Sequence, residues 1–163
     1  MIRFCTNCWA EADADQTHCP ACGHPLDAEM SFVDKLIAAL RHREPTRAGL
    51  AIDILAYHLH ELRAVEPLCR LLDATTDVAI LRQAARGLGA LGDRRAVPAL
   101  ARLLADESRA FVARQAAAEA LGQLGGDEAE HALTTALSDP LSTVREAARR
   151  AIRDMPSAIR DTR

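Results

Sequence analysis

The chain has 163 residues, of which 49% are hydrophobic and only 3% aromatic, and its formal net charge is −3. Alanine and leucine dominate, which favours close-packed helices over a β-sandwich because strands prefer β-branched and aromatic residues. The small negative charge argues against a general binder of nucleic acid or anionic membranes. No apolar run approaches the ~18 residues of a membrane span, and the N-terminus lacks a signal peptide's apolar stretch. We therefore expect a cytoplasmic protein, and Lys35 as the only lysine beside many arginines suggests a GC-rich, prokaryotic genome.

Four of the five cysteines lie in the first 22 residues and form two C-x₂-C pairs, Cys5 with Cys8 and Cys19 with Cys22. Each pair makes a tight turn that directs two thiolates to one point, and two such turns supply the four sulfurs that structural Zn²⁺ prefers. In a cytoplasmic chain such cysteines indicate metal binding rather than disulfides. We predict one structural zinc ion bound by all four. Iron in the same ligand set is an alternative, and two disulfides would form only after oxidation or loss of the metal.

Three further residues of this segment have two interpretations each. His18 and His24 could replace a cysteine as ligands, but we favour surface histidines beside a complete sulfur set. Trp9, the only tryptophan, could contact a partner as an exposed anchor or could pack the segment against the first helix near Phe32. Five acids against one base give residues 1–30 a net charge of −4, and we place a zinc-ribbon domain at residues 1–28.

The remainder of the chain repeats with a period of 31 to 33 residues. Leu91-Gly92 recurs as Leu124-Gly125, 33 residues later. A period of this length indicates stacked helix pairs. In each pair a leucine-rich helix with one apolar face precedes an alanine-rich helix. The leucine-rich helices are predicted near 32–41, 65–73, 97–105 and 129–137, and the alanine-rich helices near 46–59, 78–91, 110–124 and 142–154.

The segment LGALGDRRAVPALARLLAD, followed by VARQAAAEALGQLG, resembles short HEAT-like repeats of the phycobilisome-lyase type. The resemblance covers residues 31–155, which leaves 156–163 as a C-terminal tail. It implies an all-α, right-handed HEAT-like helical-repeat solenoid of about four helix pairs, which would follow the small N-terminal zinc ribbon predicted from the cysteines. It also implies that an early arginine of each alanine-rich helix and an aspartate ending each leucine-rich helix align successive repeats. The matching positions are Arg82, Arg114, Arg145, Asp73, Asp106 and Asp139.

Deoxyhypusine hydroxylases are similar repeat proteins that hold two irons through His-Glu pairs in R-H-E-A-A motifs. The matching stretches here begin Arg82-Gln83, Arg114-Gln115 and Arg145-Glu146, without the histidines. A His-Glu pair at residues 60–61 falls in a predicted turn and has no second copy. Phycobilisome lyases have no matching ribbon, so bilin chemistry is not predicted. Common nucleophile, nucleotide and zinc-protease motifs are also missing, and we therefore expect that the chain is not an enzyme.

The remaining reactive or charged residues have ordinary structural interpretations. Cys69 lies among leucines and is expected in the core. Several arginines of the repeats could line a nucleic-acid groove, but acids are interspersed and stacking aromatics are few. Those arginines are Arg86, Arg94, Arg95, Arg149, Arg150 and Arg153. The leading hypothesis is a non-catalytic adaptor or scaffold that binds a protein partner. The alternatives are a nucleic-acid-associated zinc-ribbon factor of transcription or translation, and an accessory subunit of an enzyme complex or a lyase-like protein.

Overall fold

The computed structural model describes residues 2–5, 8, 10–26 and 31–155. Two short strands open the chain, β1 (Ile2–Phe4) and β2 (Glu11–Asp13). They pair antiparallel, with Phe4 opposite Glu11. The amide of Cys5 continues this pairing by donating to the carbonyl of Ala10 at 2.9 Å. The hairpin therefore closes the loop that carries the first cysteine pair.

Eight α-helices follow within residues 31–155, and they alternate between two layers. The leucine-rich layer contains α1 (Phe32–Ala39), α3 (Val65–Ala74), α5 (Val97–Ala105) and α7 (Asp127–Ala136). The alanine-rich layer contains α2 (Pro45–Asp53), α4 (Val78–Leu91), α6 (Phe111–Leu124) and α8 (Ser142–Asp154). Helices α2, α4, α6 and α8 pack in that order, as do α3, α5 and α7. The predicted helical-repeat solenoid of four helix pairs is confirmed.

Local sequence signals explain where the helices begin and end. The carboxylate of Asp77 accepts the amides of Ala79 and Ile80 at 2.9 and 3.0 Å and so caps the start of α4. Gly92 ends α4 with φ +69°, a left-handed conformation that costs glycine little. A 3₁₀ turn, Arg94–Ala96, then leads into α5. A similar turn, Leu62–Ala64, precedes α3, so the two central connections are built alike.

The apolar core runs between the two layers and is continuous from the first helix pair to the last. Leucines of the odd-numbered helices fill it, while the even-numbered helices contribute mainly alanines. Small residues also set the spacing within the alanine-rich layer. A Cβ atom on Gly122 would lie only 2.8 Å from the Cβ of Ala151. Helices α6 and α8 therefore approach more closely than any side chain at residue 122 would allow.

Three helix boundaries differ by two residues or more from those predicted. Helix α2 ends at Asp53 and continues as a single π turn, Ile54–His58, in which the amide of Leu59 donates to the carbonyl of Ile54 at 2.9 Å. Helix α1 ends at Ala39, two residues early. Helix α7 begins at Asp127, two residues early, directly after Gly126 with φ +93°. None of these changes moves a helix to the other layer.

One repeat position inferred from the resemblance is wrong. Helices α4 and α6 begin 33 residues apart, so the residue equivalent to Arg114 is Leu81 rather than Arg82. Leu81 is buried and Arg82 is exposed. Arg82 and Arg114 are both followed by Gln-Ala, which makes them look equivalent in sequence. The position of each residue relative to the start of its helix, however, determines whether it faces the core.

The first helix pair is packed more loosely than the others. Helix α1 contacts α2 and the π turn, but a cavity of about 570 Å³ lies between α1 and α3. Ile37, Leu40 and Leu71 line its apolar part. Across the described ranges, none of the helices has the length and hydropathy that a bilayer span requires.

Candidate metal centre and repeat surface

The four N-terminal cysteines form one cluster. The Sγ atoms of Cys5, Cys8, Cys19 and Cys22 all lie within 4.8 Å of one another. The Cys5–Cys22 separation is 3.7 Å and the Cys8–Cys19 separation is 3.5 Å. A tetrahedral ion with bonds of about 2.3 Å needs its sulfurs about 3.8 Å apart, whereas a disulfide needs about 2.05 Å. None of the four forms a disulfide, and their spacing is that of a shared metal ion.

Backbone hydrogen bonds hold the second cysteine pair in place. Gly23 has φ +69° and donates its amide to the carbonyl of Cys19 at 2.9 Å, which turns the chain back. The amide of Cys19 in turn donates to the carbonyl of His24 at 2.8 Å. The amide of Ala21 approaches the Cys19 sulfur at 3.4 Å. Such amide contacts orient a thiolate ligand and stabilise its charge. The second turn is therefore shaped to present sulfur to a cation.

The neighbouring thiols also affect the protonation of Cys8. The amide of Ala10 lowers the pKa of the Cys8 thiol, but hydrogen bonds with Cys22, Cys19 and Cys5, together with burial, raise it to about 12. Four crowded sulfurs thus favour the neutral form. A divalent cation reverses this preference because a coordinating thiol is deprotonated outright.

The two histidines singled out in this segment do not join the cluster as potential ligands. His18 is exposed, and its Nδ1 atom is 3.1 Å from the hydroxyl of Thr17. Neither His18 nor His24 belongs to the group of potential ligand atoms formed by the described residues. Trp9, predicted as a possible partner contact, lies outside the described residues. A cavity of about 440 Å³ separates Cys8 and Ala21 from the α1–α2 connection and the first turn of α2, where Arg43 and Arg47 line it.

A row of exposed charges crosses the alanine-rich layer. Arg86, Glu119 and Arg150 are each the ninth residue of their helix, in α4, α6 and α8. We call these three residues the charge row. Two adjacent cavities of about 400 and 520 Å³ lie along it. The first is lined by Arg86 and Glu119, the second by Glu119 and Arg150, and Gln123 borders both. Arg86 and Arg150 were predicted only as members of a possible nucleic-acid groove, and Glu119 was not singled out, although the 33- and 31-residue spacing of the three matches the repeat.

The segments that match the iron-binding motif connect neighbouring helices. The amide nitrogen of Gln83 donates to the carboxylate of Asp53 at 2.7 Å and to the carbonyl of Gly49 at 3.1 Å. Gln115 donates in the same way to the carbonyl of Thr143 at 3.3 Å. These glutamines thus bridge α4 to α2 and α6 to α8.

A buried ion pair joins the third and fourth helix pairs. The guanidinium of Arg114 contacts the carboxylate of Asp139, and both side chains are almost fully buried. Arg114 also donates to the carbonyl of Leu104 at 2.9 Å. Asp139 accepts the amide of Leu141 at 2.9 Å. The pair therefore satisfies its own polar atoms inside the core, as buried charges require.

Cys69, the fifth cysteine, belongs to the apolar core. Burial, aided by the charges of Glu66 and Asp73, raises the pKa of its thiol to about 11. A thiol with so high a pKa is a poor nucleophile because the thiolate is the reactive form.

Comparison with known proteins identifies the repeats. A family profile of HEAT repeats matches residues 33–116, and a profile of the PBS lyase HEAT-like repeat matches residues 113–139. No curated protein matches the chain significantly. Human deoxyhypusine hydroxylase, solved in complex with glycerol, is 28% identical with a TM-score of 0.66. That alignment covers 78% of this chain and 44% of the hydroxylase.

A second solved structure shares the fold. The CpcE–CpcF complex of phycocyanin lyase from a Nostoc species is 24% identical with a TM-score of 0.53, covering 80% of this chain and 67% of that chain. The expectation that the chain is not an enzyme is wrong, since these neighbours are an enzyme and a lyase subunit complex. The missing histidines exclude only the two-iron site of the hydroxylase motif, and one fold can support many different activities. Because the HEAT profile covers more than half of its 163 residues, the chain belongs to the HEAT-repeat family.

Proposed function

We propose that the chain is a subunit of an enzyme complex and that the exposed face of its alanine-rich layer binds a partner protein. The observation that carries this proposal is the charge row with its two adjoining cavities. Stacked helical repeats offer extended surfaces suited to such binding. The cavities share Glu119 and Gln123, so they form one continuous shallow surface across three helices.

The comparisons support the enzymatic context of the proposal. The 28% identical relative is an enzyme, but this chain spans less than half of its length. Gln83 and Gln115 are engaged in contacts between helices. We therefore propose participation in an enzyme complex without assigning the hydroxylase reaction to this chain.

We further propose that Cys5, Cys8, Cys19 and Cys22 bind one structural zinc ion and that residues 1–28 form a zinc-ribbon domain. The sulfur separations of 3.5 and 3.7 Å support tetrahedral coordination. With four sulfur ligands no coordination position remains for water. The ion would then stabilise the fold of the ribbon and leave reaction chemistry to other groups.

Co-purification from the source organism tests the proposed function. We expect the tagged full chain to recover an enzyme subunit in stoichiometric amount, and the triple variant Arg86→Glu, Glu119→Arg, Arg150→Glu to lose it. A matched control changes Arg70→Glu, Arg102→Glu and Glu130→Arg, which are exposed residues of the leucine-rich layer. It carries the same change in net charge and should retain the partner. Equal recovery by both triple variants, or recovery of nucleic acid alone, would contradict the proposal.

A further inference from the structure

The spacing and signs of the charge row suggest what kind of protein segment it binds. We propose that the row binds a peptide segment in polyproline II conformation whose charges follow the order acidic, basic, acidic at every third residue. This inference rests on the proposed function, since it names the partner chemistry of the same surface. It adds a sequence pattern that can be tested with synthetic peptides.

The repeat geometry sets the spacing of the pattern. Arg86, Glu119 and Arg150 occupy the same position on three successive helices of one layer. Packed helices lie about 8–10 Å apart, and a polyproline II chain repeats every three residues with a rise of about 3.1 Å per residue. Three residues of such a peptide therefore span one helix-to-helix step and return the side chain to the same face. An acid opposite Arg86, a base opposite Glu119 and an acid opposite Arg150 would each meet the opposite charge.

The three charges are available to a ligand. All three side chains are exposed. Within residues 31–155 none of them takes part in an ion pair or a side-chain hydrogen bond. Some other exposed charges are paired, as in the pair of Arg102 with Asp73 at 3.0 Å. The charge row thus keeps opposite charges on adjacent helices without pairing them, and a bridging peptide could satisfy each one separately.

The surface beneath the row suits a peptide main chain. Gly89 and Ala120 line the first cavity, and Gly122 and Ala151 line the second. These residues project little, so a backbone can approach the helices closely. The exposed side chain of Gln123 lies over Gly89, so close that a Cβ atom added at Gly89 would collide with it. An amide side chain offers both a donor and an acceptor to a peptide backbone.

The same residues disfavour a nucleic acid. A phosphate backbone carries negative charge at every step and is bound by rows of basic residues. Glu119 stands at the centre of the row and would repel it. Tyr57 is the only aromatic residue lining either cavity, whereas single strands are bound on several stacking platforms. Alternating charges fit a polypeptide better because its side chains can alternate in sign.

An NMR titration of the full chain tests the pattern, since it detects weak binding. The probe is a synthetic peptide with the core Asp-Pro-Pro-Lys-Pro-Pro-Asp, whose prolines favour the polyproline II conformation. We expect shifts of amide signals along the charge row, and binding about tenfold weaker for the sign-reversed peptide Lys-Pro-Pro-Asp-Pro-Pro-Lys. Binding should weaken as salt is added.

A charge exchange provides the decisive control. The Glu119→Arg variant should bind the original peptide about tenfold more weakly and should gain affinity for a peptide with a central Asp. The Glu130→Arg variant, altered on α7, should behave like the unaltered chain. Equal binding of both peptides, shifts outside the row, or tighter binding of an oligouridine at the row would overturn the inference. If the enzyme subunit still co-purifies through this face, only the peptide pattern fails. If peptides bind as expected but no enzyme subunit co-purifies, the proposed function fails instead.

Discussion

The N-terminal cysteine segment, proposed as a zinc ribbon, and the helical repeats differ in what holds them together. In its described part the segment buries only Cys5, Ala12 and Cys19, whereas the repeats share one continuous apolar core. A module of about 28 residues cannot bury enough apolar surface to fold alone, so we expect the proposed ribbon to depend on its sulfur cluster. The repeats depend on close packing and one buried ion pair. Loss of metal and loss of packing should therefore affect the two regions independently.

The largest expected effect is on the ribbon. The double variant Cys19→Ser, Cys22→Ser should lose the bound zinc, about one equivalent in the unaltered chain, together with the ~10–16 kcal/mol that zinc binding contributes to folding of such modules. Elemental analysis measures the metal, and thermal unfolding of the helices should be unchanged. The Cys69→Ala variant, altered outside the cluster, should retain its zinc. Full metal content in the double variant would refute the ligand assignment.

The next largest effect concerns the buried ion pair of the repeats. Leu81 occupies the position equivalent to Arg114, so the site accommodates an apolar side chain. Arg114→Leu should nevertheless cost about 3–5 kcal/mol in the free energy of unfolding, because it leaves the carboxylate of Asp139 buried and unpaired. Urea unfolding measures the loss, which should leave the zinc content unaltered.

Two further variants separate charge from packing at this site. Adding Asp139→Asn to Arg114→Leu should restore part of the lost stability, because the amide oxygen can still accept the hydrogen bond from Leu141. Arg102→Ala removes an exposed pair with Asp73 and should cost less than about 1 kcal/mol. Equal costs for Arg114→Leu and Arg102→Ala would show that burial of the pair is unimportant.

A smaller effect is expected where helices touch through glycine. Gly122→Ala should destabilise the repeats by about 1–3 kcal/mol, because the new Cβ would press against the backbone and side chain of Ala151. Gly49→Ala is the matched control, since its Cβ would meet only the flexible end of Gln83. Thermal unfolding compares the two. If Gly49→Ala loses as much stability as Gly122→Ala, the close approach of α6 and α8 is not the cause of the loss.

The smallest effect depends on pH. Hydrogen bonds from the Arg95 side chain and amide lower the pKa of Asp93, which caps the turn before α5. A lowered carboxyl pKa stabilises the folded state above the ordinary aspartate value of about 3.9, and this contribution is lost as the pH falls through the lowered pKa. Asp93→Asn should therefore destabilise the chain slightly at neutral pH and leave it equally stable at strongly acid pH.

The pH comparison needs a chain without zinc, because acid also releases metal from thiolates. Unfolding of the helices should be measured in the Cys19→Ser, Cys22→Ser background with and without Asp93→Asn. A difference between the two chains that persists unchanged into strong acid would contradict the assignment to this carboxylate.

Much of the architecture was predictable because repeats present each signal several times. Periodic leucines and alanines located all eight helices, and glycine placed the end of α4. The boundary errors fall at the first and last helix pairs, where the repeated pattern is least regular. The mistake over Arg82 has a related cause. A helix tolerates no shift in register, since one residue rotates a side chain by about 100°, from the core to the surface.

Only the part of the site that depends on residues close together in the sequence was predictable. Two C-x₂-C pairs are local, so the cysteine cluster followed from the sequence. The partner of Arg114 is 25 residues away and depends on how α7 packs. The charge row depends on which residues of three helices share a face. Such sets arise from packing, although the repeat spacing of Arg86, Glu119 and Arg150 already carried their signal.

The buried arginine has a consequence for how the molecule opens. Arg114 in α6 is bonded to the end of α5 through Leu104 and to the loop after α7 through Asp139. In a linear array each helix pair normally opens separately, and its own opening free energy sets how fast its amide hydrogens exchange. Here the third helix pair cannot separate from the fourth without breaking the Arg114–Asp139 ion pair and leaving both charges unpaired. Helices α5 to α8 should therefore open as one cooperative block, while α1, which borders the cavity next to α3, and its partner α2 should exchange first.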